Sequence, residues 1–320
     1  MSNPAAFSLL CAGALVVLAA VPRVGRAQSA TAGVAPVQSM NHVHLRVSDL
    51  RRSQEFYAKL LGGRVIDTSR STWTLMLGDT GTWMSLGTVQ PGSNVKPASL
   101  DHIGIGVNLS DKPEPLRQAL KEAFPTSNVR SPGKPGDLTY DRSIYVEDPD
   151  GVSIQLVSRT DDGHLPRPDV TPAVPRTRSA GVVRVRSINH LQFNATDIAK
   201  TQTFYSKLLG ATLRDKSASG RMMTMTLPRA NCWLSFATVD DKEKAGKLDH
   251  IGIGIDWPQD VEGLRTSLKK AFPEAKVTSP GAPTSPTYNR SIYIEDPDGL
   301  RVQLISHADD GKLPGGTSAK

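Results

Sequence analysis

Histidine, tyrosine and glutamine side chains carry lone pairs and exchangeable protons, and this chain sets them on strands in a repeated order. In NHVHLRV, side chains alternate along an extended strand, so His42, His44 and Arg46 share one face and Val43, Leu45 and Val47 the other. In LDHIGIGV the same rule sets His102, Gly104 and Gly106 opposite Ile103, Ile105 and Val107. Around the DPDG segment, Ser143 and Tyr145 oppose Ile144 and Val146, and Ser153 and Gln155 oppose Val152, Ile154 and Leu156. The apolar face must cover helices, which gathers His42, His44, His102, Tyr145 and Gln155 on the face turned away from them. A plain solvated face, the competing explanation, needs no such residues. Lys, Glu and Thr would suit it, whereas His, Gly, Gln and Tyr describe a concave face that holds a ligand.

The arrangement is written twice. The differences 190 − 42, 250 − 102, 296 − 148 and 303 − 155 all equal 148, so His190, His250, Tyr293 and Gln303 repeat the set with no net insertion. FYAKLLG matches FYSKLLG, TYDRSIY matches TYNRSIY, and DDGHLP matches DDGKLP, which is duplication of a whole domain and not of a short solenoid unit. His44 could be a ligand, a base or a lining residue; its counterpart Gln192 favours the last, and His44 stays among the candidate catalytic groups.

The elements that position these residues are legible in outline. A strand near Met40 to Val47 runs into a helix opened by Asp49 and closed near Gly62, with Phe56, Tyr57, Leu60 and Leu61 as its apolar side. Strand-like runs follow near 64–67, 72–77 and 82–89. A second strand at His102 to Val107 leads to a helix introduced by Pro113 and Pro115 and ended by Pro125. Two strands joined by Asp148-Pro149-Asp150-Gly151 complete the copy, so each copy reads as βαβββ twice.

Composition limits the function classes. The 320 residues hold 38% hydrophobic and 22% charged side chains, ordinary for two globular domains. Residues 1–27 contain the apolar run Ala5 to Val21 followed by Gly25-Arg26-Ala27, the pattern of a secretion signal, with an uncleaved anchor as the alternative. Its removal takes Arg23 and Arg26 away, so the formal charge falls from +7 to 7 − 2 = +5. The remaining excess is scattered, without the basic stripe that nucleic acid requires. Cys11 leaves too, so the mature chain keeps only Cys232 and forms no intramolecular disulfide.

With NHVHLRVSDLRRSQEFYAKLLGG, LDHIGIGV and IYVEDPDGVSIQL in this order and written twice, the chain resembles the vicinal oxygen chelate superfamily, which includes glyoxalase I, extradiol dioxygenases and antibiotic-binding resistance proteins. The resemblance implies an α+β fold of two tandem domains, each a pair of βαβββ units forming a cupped mixed sheet with helices on its convex side. The expected boundaries are a tail at 28–38, domain 1 at 39–160, a stiff Pro-rich surface linker at 161–186, domain 2 at 187–308 and a tail at 309–320. The two domains are expected to pack as an internal pseudo-dimer.

The resemblance further implies a divalent metal, Fe, Mn or Zn, held by His42, His102 and Gln155 in copy one and by His190, His250 and Gln303 in copy two. Two His and an oxygen donor on one side of a metal is the facial arrangement of non-haem iron enzymes. The chain departs from the family in having Gln where Glu is usual, which leaves more positive charge for an anionic substrate. Tyr145 and Tyr293 match a tyrosine that hydrogen-bonds substrate oxygen, although the His that extradiol enzymes carry upstream of it is absent from SPGKPGDLTYDR and SPGAPTSPTYNR. A glyoxalase-like site needs a further Glu on TWMSLGTV or CWLSFATV, and neither has one. Arg142 and Arg290 could clamp a carboxylate or pair with a nearby Asp, and Trp83 and Trp233, with Trp73, are candidates to line the cups.

Three functions remain open. The first is an exported, periplasmic or secreted metalloprotein with dioxygenase-like chemistry on a small substrate bearing adjacent oxygens. The second is a glyoxalase-like lyase or isomerase. The third is a metal-free protein that sequesters a small molecule. In all three the partner is a small molecule, with no nucleic acid and no stable membrane association once the signal is cleaved.

Overall fold

A computed structural model describes residues 33–68, 71–78, 80–137, 139–161, 163, 178–285, 287–309, 311 and 317–318. The 1–27 segment, on which the expectation of export rests, lies outside the described residues, as does much of the 161–186 stretch. Copy one runs β1 (Ser39–Val47), α1 (Leu50–Leu61), β2 (Gly63–Thr68), β3 (Thr72–Met76), β4 (Trp83–Thr88), β5 (Ser99–Val107), α2 (Glu114–Ala123), β6 (Val129–Arg130), β7 (Ser143–Glu147) and β8 (Ser153–Ser158). After β9 (Arg178–Ser179), copy two repeats this as β10 (Val185–Ala195), α3 (Ile198–Leu209), β11 (Thr212–Lys216), β12 (Met222–Leu227), β13 (Cys232–Thr238), β14 (Leu248–Ile255), α4 (Val261–Ala271), β15 (Val277–Thr278), β16 (Ser291–Glu295) and β17 (Arg301–Ser306). The short β18 (Thr317–Ser318) follows.

Each copy builds one mixed sheet, in the order β6-β7-β8-β5-β1-β4-β3-β2-β9 and β15-β16-β17-β14-β10-β13-β12-β11-β18. The two βαβββ units of a copy meet in mid-sheet, where β1 pairs antiparallel with β5 and β10 with β14. The ninth strand of each sheet comes from outside the duplicated units, β9 from the linker and β18 from the C-terminal tail.

The helices form where the sequence predicts. Asp49 caps α1 by accepting from Arg52 N at 3.0 Å, and the Asp197 side chain accepts from Ala199 N and Lys200 N at the start of α3. Ser53, Phe56, Tyr57, Leu60 and Leu61 bury one side of α1, at the three- and four-residue spacing of a helix face. Val43, Leu45, Ile103, Ile105, Ile154 and Leu156 are fully buried in the core under the helices. Trp73 joins that core, contrary to its expected place in the cup: β3 turns Thr72 and Thr74 toward the cup and Trp73 away.

The two copies pack reciprocally, as the pseudo-dimer expectation holds. Phe56 meets Phe272 and Phe204 meets Phe124, with ring centroids 5.1 Å and 5.0 Å apart. Tyr57 Oη donates to Asp296 at 2.8 Å, and Tyr205 Oη donates to Asp148 at 3.1 Å. The DPDG turn of each copy is thereby held by the first helix of the other.

The linker and tail do more than predicted. Val34 N and Ala35 N donate to the Lys207 and Leu208 carbonyls at the end of α3, while Val182 N and Val183 N donate to Lys59 and Leu60 at the end of α1. Those carbonyls are the ones a helix end leaves without partners. Each copy is thus entered through an arm that finishes a helix of the other copy. Ala35, Val37, Val183 and Val185 are buried, so the ends of the expected tail and surface linker belong to the core, and β10 already begins at Val185.

Candidate functional site

One row of the ladder carries the cup in each copy. Across the first sheet, Trp83 pairs with His42, His42 with Gly104, Gly104 with Gln155 and Gln155 with Tyr145. Across the second, the row is Trp233, His190, Gly252, Gln303 and Tyr293. The next row of copy one brings Ser85, His44 and His102 together. Residues far apart in sequence therefore converge because the register is fixed.

The two histidines of each cup face one another. His42 Nε2 lies 3.0 Å from His102 Nε2, and His190 Nε2 lies 3.0 Å from His250 Nε2. The opposite ring nitrogens are tied back: His42 Nδ1 to Asn41 Oδ1 at 2.7 Å, His102 Nδ1 to Asp101 Oδ2 at 2.7 Å, His190 Nδ1 to Asn189 Oδ1 at 2.8 Å and His250 Nδ1 to Asp249 Oδ2 at 2.7 Å. Asn41 Nδ2 donates to the Asp161 carbonyl, which orients the amide with Oδ1 toward the ring. With Nδ1 donating, a neutral ring presents its Nε2 lone pair to the cup. Burial first, then His102 and His44, push the His42 pKa well below the usual histidine range, and burial and His250 do the same to His190.

Glycine makes the pairing possible. A Cβ on Gly104 would lie 2.1 Å from the His42 ring, and one on Gly252 would lie 2.2 Å from His190 Nδ1. On the far side of that glycine, Gln155 Nε2 donates to Ser143 Oγ at 2.9 Å and Gln303 Nε2 donates to Ser291 Oγ at 2.8 Å. Gln303 Oε1 is buried without a hydrogen-bond partner.

The donor set fits a divalent cation. Two nitrogens about 2.1 Å from a common ion lie about 3.0 Å apart at a right angle and about 3.4 Å apart at the tetrahedral angle, and the facing Nε2 atoms stand 3.0 Å apart. In copy two an unpartnered amide oxygen is available as a third donor, and Gln155 has its amide nitrogen engaged in the same way in copy one. His44, Asp101 and His102 also bring one ligand atom each within 4.8 Å of one another. Both Asp101 oxygens, however, are engaged, Oδ2 by His102 and Oδ1 by Arg46 Nε and Nη2 at 3.0 and 2.8 Å. That trio would have to give up an ion pair to hold a cation.

The remaining predicted residues also reach the cups. Tyr145 stands edge-on to His102 with centroids 5.3 Å apart, and burial, reinforced by Asp101, pushes its phenol up to about 12. Tyr293 repeats the contact with His250 at 5.4 Å. Trp83 stacks on His42 at 3.7 Å and Trp233 on His190 at 5.0 Å. Arg142 and Arg290 line the cups and pair with Asp161 and Asp309 at 3.1 Å, the bland one of the two expected roles.

The copies differ in ways that bear on chemistry. The cavity of copy one holds about 310 Å³ and that of copy two about 210 Å³. His44 Nε2 is buried and unpartnered in copy one, and burial, with His102 next, lowers its pKa to about 3. A Cβ on Gly87 would lie 2.7 Å from that nitrogen; copy two has Gln192 and Ala237 at these places in the sheet.

Sequence alternation missed Asn41, Asp101, Asn189 and Asp249, which it assigns to the covered face. The register between β1 and β5 slips between Met40 and His42 and again between His44 and Leu45, leaving Asn41 and Asp101 as the extra residues of two bulges. The same slips fall at Asn189 and Asp249. A bulge re-aims a side chain, and here it turns each polar residue toward the adjacent ring. The signal was in the pairs Asn-His and Asp-His, repeated in both copies.

A cupped sheet made from paired βαβββ units, with facing histidines on its first and fifth strands, defines a class of fold, and comparison with known proteins gives that class a family. The model of the Glyoxalase/Bleomycin resistance protein/Dioxygenase superfamily matches residues 39–156 and 187–304, and the chain belongs to that superfamily. Curated relatives match over the length of one copy. Metallothiol transferase FosB of Staphylococcus epidermidis is 30% identical over 124 residues, 39% of this chain and 84% of the relative. Glutathione transferase FosA of Serratia marcescens is 31% identical over 123 residues, 38% and 80%. Among solved structures, the 2,3-dioxygenase LapB from Pseudomonas sp. KL28 superposes with a TM-score of 0.62 at 16% identity, covering 90% of this chain and 96% of that one. Homoprotocatechuate 2,3-dioxygenase from Arthrobacter globiformis gives 0.62 at 15% identity, covering 88% and 85%. At such identities the likeness concerns the fold, with both copies in the same arrangement.

Proposed function

We propose that copy one is a divalent-metal site acting on a small substrate with two adjacent oxygens, with dioxygenase-like chemistry, and that copy two is a second, more restricted metal site. The carrying observation is the facing pair His42 Nε2 and His102 Nε2, each ring tied back at Nδ1, beside a Gln whose amide nitrogen is already engaged. His42, His102 and Gln155 would hold the cation in copy one, and His190, His250 and Gln303 in copy two. When bound, such a cation acts as a Lewis acid and template for a chelating substrate and, as iron, supplies oxygen chemistry.

The chain's own groups do the rest. Tyr145, protonated throughout the neutral range, donates a hydrogen bond to a substrate oxygen. His44, held neutral by burial and unpartnered at Nε2, offers that nitrogen as a hydrogen-bond acceptor to a substrate hydroxyl. Trp83 walls the cup and fixes the His42 ring. Arg142 and Asp161 close the rim as a neutral pair. A neutral donor set leaves the charge of the cation for an anionic substrate to balance.

A second reading, addition of a thiol to the bound substrate, is supported by the names of the curated relatives. The lyase or isomerase reading is weaker, because the wall strands place Ser85 and Ser235 in the cups where that chemistry calls for a carboxylate. Export, supported by the 5–21 apolar run, is part of the proposal, and the N-terminal sequence of the mature protein tests it.

Metal analysis of protein purified without chelator decides first. Stoichiometric iron, manganese or zinc is expected, with one equivalent lost in His102→Ala and one in His250→Ala. Wild type that binds none of these ions after reconstitution would leave sequestration by the metal-free cups as the function. With metal present, oxygen consumption on vicinal diols, against disappearance of an added thiol, separates the first two readings.

A further inference from the structure

In both copies an arginine grips the aspartate that grips the histidine, yet the two arginines are not counterparts. In copy one it is Arg46 of β1, which donates from Nε and Nη2 to Asp101 Oδ1 while His102 Nδ1 takes Oδ2. The counterpart of Arg46 in copy two is Asn194. There the aspartate is gripped by Arg301 of β17, whose Nη2 pairs with Asp249 Oδ1 while His250 Nδ1 takes Oδ2. The counterpart of Arg301 in copy one is Ser153. The guanidinium has moved to a different strand, and the same two carboxylate oxygens are used in the same division.

The register explains how both solutions work. Arg46 lies two residues beyond His44 on the strand beside β5, and Arg301 pairs directly with His250 across the β14 and β17 ladder. Either strand reaches the bulged aspartate from one flank. Asp101 and Asp249 are partly buried, with 31% and 25% of the side chain exposed. A carboxylate in such a place is held by its ion pair, and without one it can rotate toward solvent and release the imidazole. In each copy the arginine takes the oxygen that the imidazole leaves free, so one carboxylate joins the guanidinium to the ring.

We propose that Arg46 and Arg301 are positioning residues: each locks its aspartate so that His102 or His250 keeps the proton on Nδ1 and turns an Nε2 lone pair into the cup. The arginine can sit on either flanking strand. The inference rests on the proposed metal site, but its first consequence concerns the metal-free protein.

The experiment uses the full chain with Arg46→Met, the mirror variant Arg301→Met, and the relocation Arg46→Asn with Ser153→Arg, which moves the arginine of copy one to the strand that carries it in copy two. Nitrogen-15 spectra of the metal-free proteins read the tautomer of each histidine, and competition with a chromophoric chelator reads Zn²⁺ affinity at each cup. Arg46→Met is expected to mix the His102 tautomers and weaken Zn²⁺ at copy one by about 10- to 100-fold, leaving His250 and copy two as a folded internal control. Arg301→Met should do the reverse. The relocation variant should recover a single Nδ1–H tautomer at His102 and most of the affinity. Unchanged His102 and His250 tautomers in the single variants would overturn the proposal, as would a relocation variant no better than Arg46→Met while its copy two signals stay native. Tautomers that shift and recover as expected in a protein that binds no Zn²⁺ would uphold the positioning role and sink the metal reading alone.

Discussion

At the scale of single residues, the cup depends on the absence of one side chain as much as on the presence of others. Gly104 stands in the ladder between His42 and Gln155, and its missing Cβ is the space the His42 ring fills. Gly104→Ala should therefore displace the ring, cost about 1–3 kcal/mol of stability through overpacking and, on the proposed metal sites, remove the cation from copy one alone. Paired metal analysis and thermal unfolding check this; an alanine variant with normal metal content in copy one would show that the ring need not lean over the backbone. The residues on the open face were legible, because strict alternation sorts His42, His102, Tyr145 and Gln155 from their apolar neighbours. Asn41 and Asp101 were not, because a bulge changes facing without changing composition. Arg301 was hidden for a different reason: its counterpart in the repeat is Ser153, a residue of different chemistry, and only the fold shows Arg301 on Asp249 as Arg46 is on Asp101.

At the scale of elements, the DPDG turn that looks like part of the site is a joint between the copies. Asp148 Oδ1 accepts from Asp150 N and Val152 N, closing the turn, while Oδ2 accepts from Tyr205 of the other copy. Burial raises the Asp148 pKa from 3.8 to about 6, against the lowering effect of these hydrogen bonds. The folded chain therefore binds a proton there that the unfolded chain has released, so the group's contribution is full below about pH 4 and is lost as pH rises through about 6. Relative to Asp148→Asn, which keeps an oxygen acceptor without the charge, wild type should lose on the order of 2–3 kcal/mol of stability between pH 4 and pH 7. The comparison with the variant matters, because His42, His44 and His190, held neutral by burial, act in the opposite direction as pH falls below their unfolded value. Chemical unfolding of the two proteins at both pH values tests it, and parallel pH profiles would mean that Asp148 titrates normally.

At the scale of the molecule, duplication has produced two copies that complete each other. The FY and DPDG motifs recur because Phe56 and Tyr57 of one copy meet Phe272 and Asp296 of the other, and Phe204 and Tyr205 return the contact. The arms add a backbone exchange: Gly33 and Gly181 pass so close to the ends of α3 and α1 that a Cβ on either would lie 2.3 Å from Gly210 N or Gly62 N. Ala-Gly-Val stands before each copy at the same offset of 148, so the exchange was readable as sequence similarity reaching upstream of Ser39 and Ser187, although nothing in the composition says that each arm docks on the opposite copy. Two domains tied only by a linker would unfold independently, whereas buried aromatic contacts and hydrogen-bonded arms in both directions couple their stabilities. A single calorimetric transition is expected for the full chain. Gly181→Ala, which pries one arm from α1, should lower that whole transition by about 1–3 kcal/mol instead of splitting off copy two. Two resolved transitions in wild type would mean that the reciprocal contacts are too weak to join the copies, and each cup would then have to be treated as an independent domain.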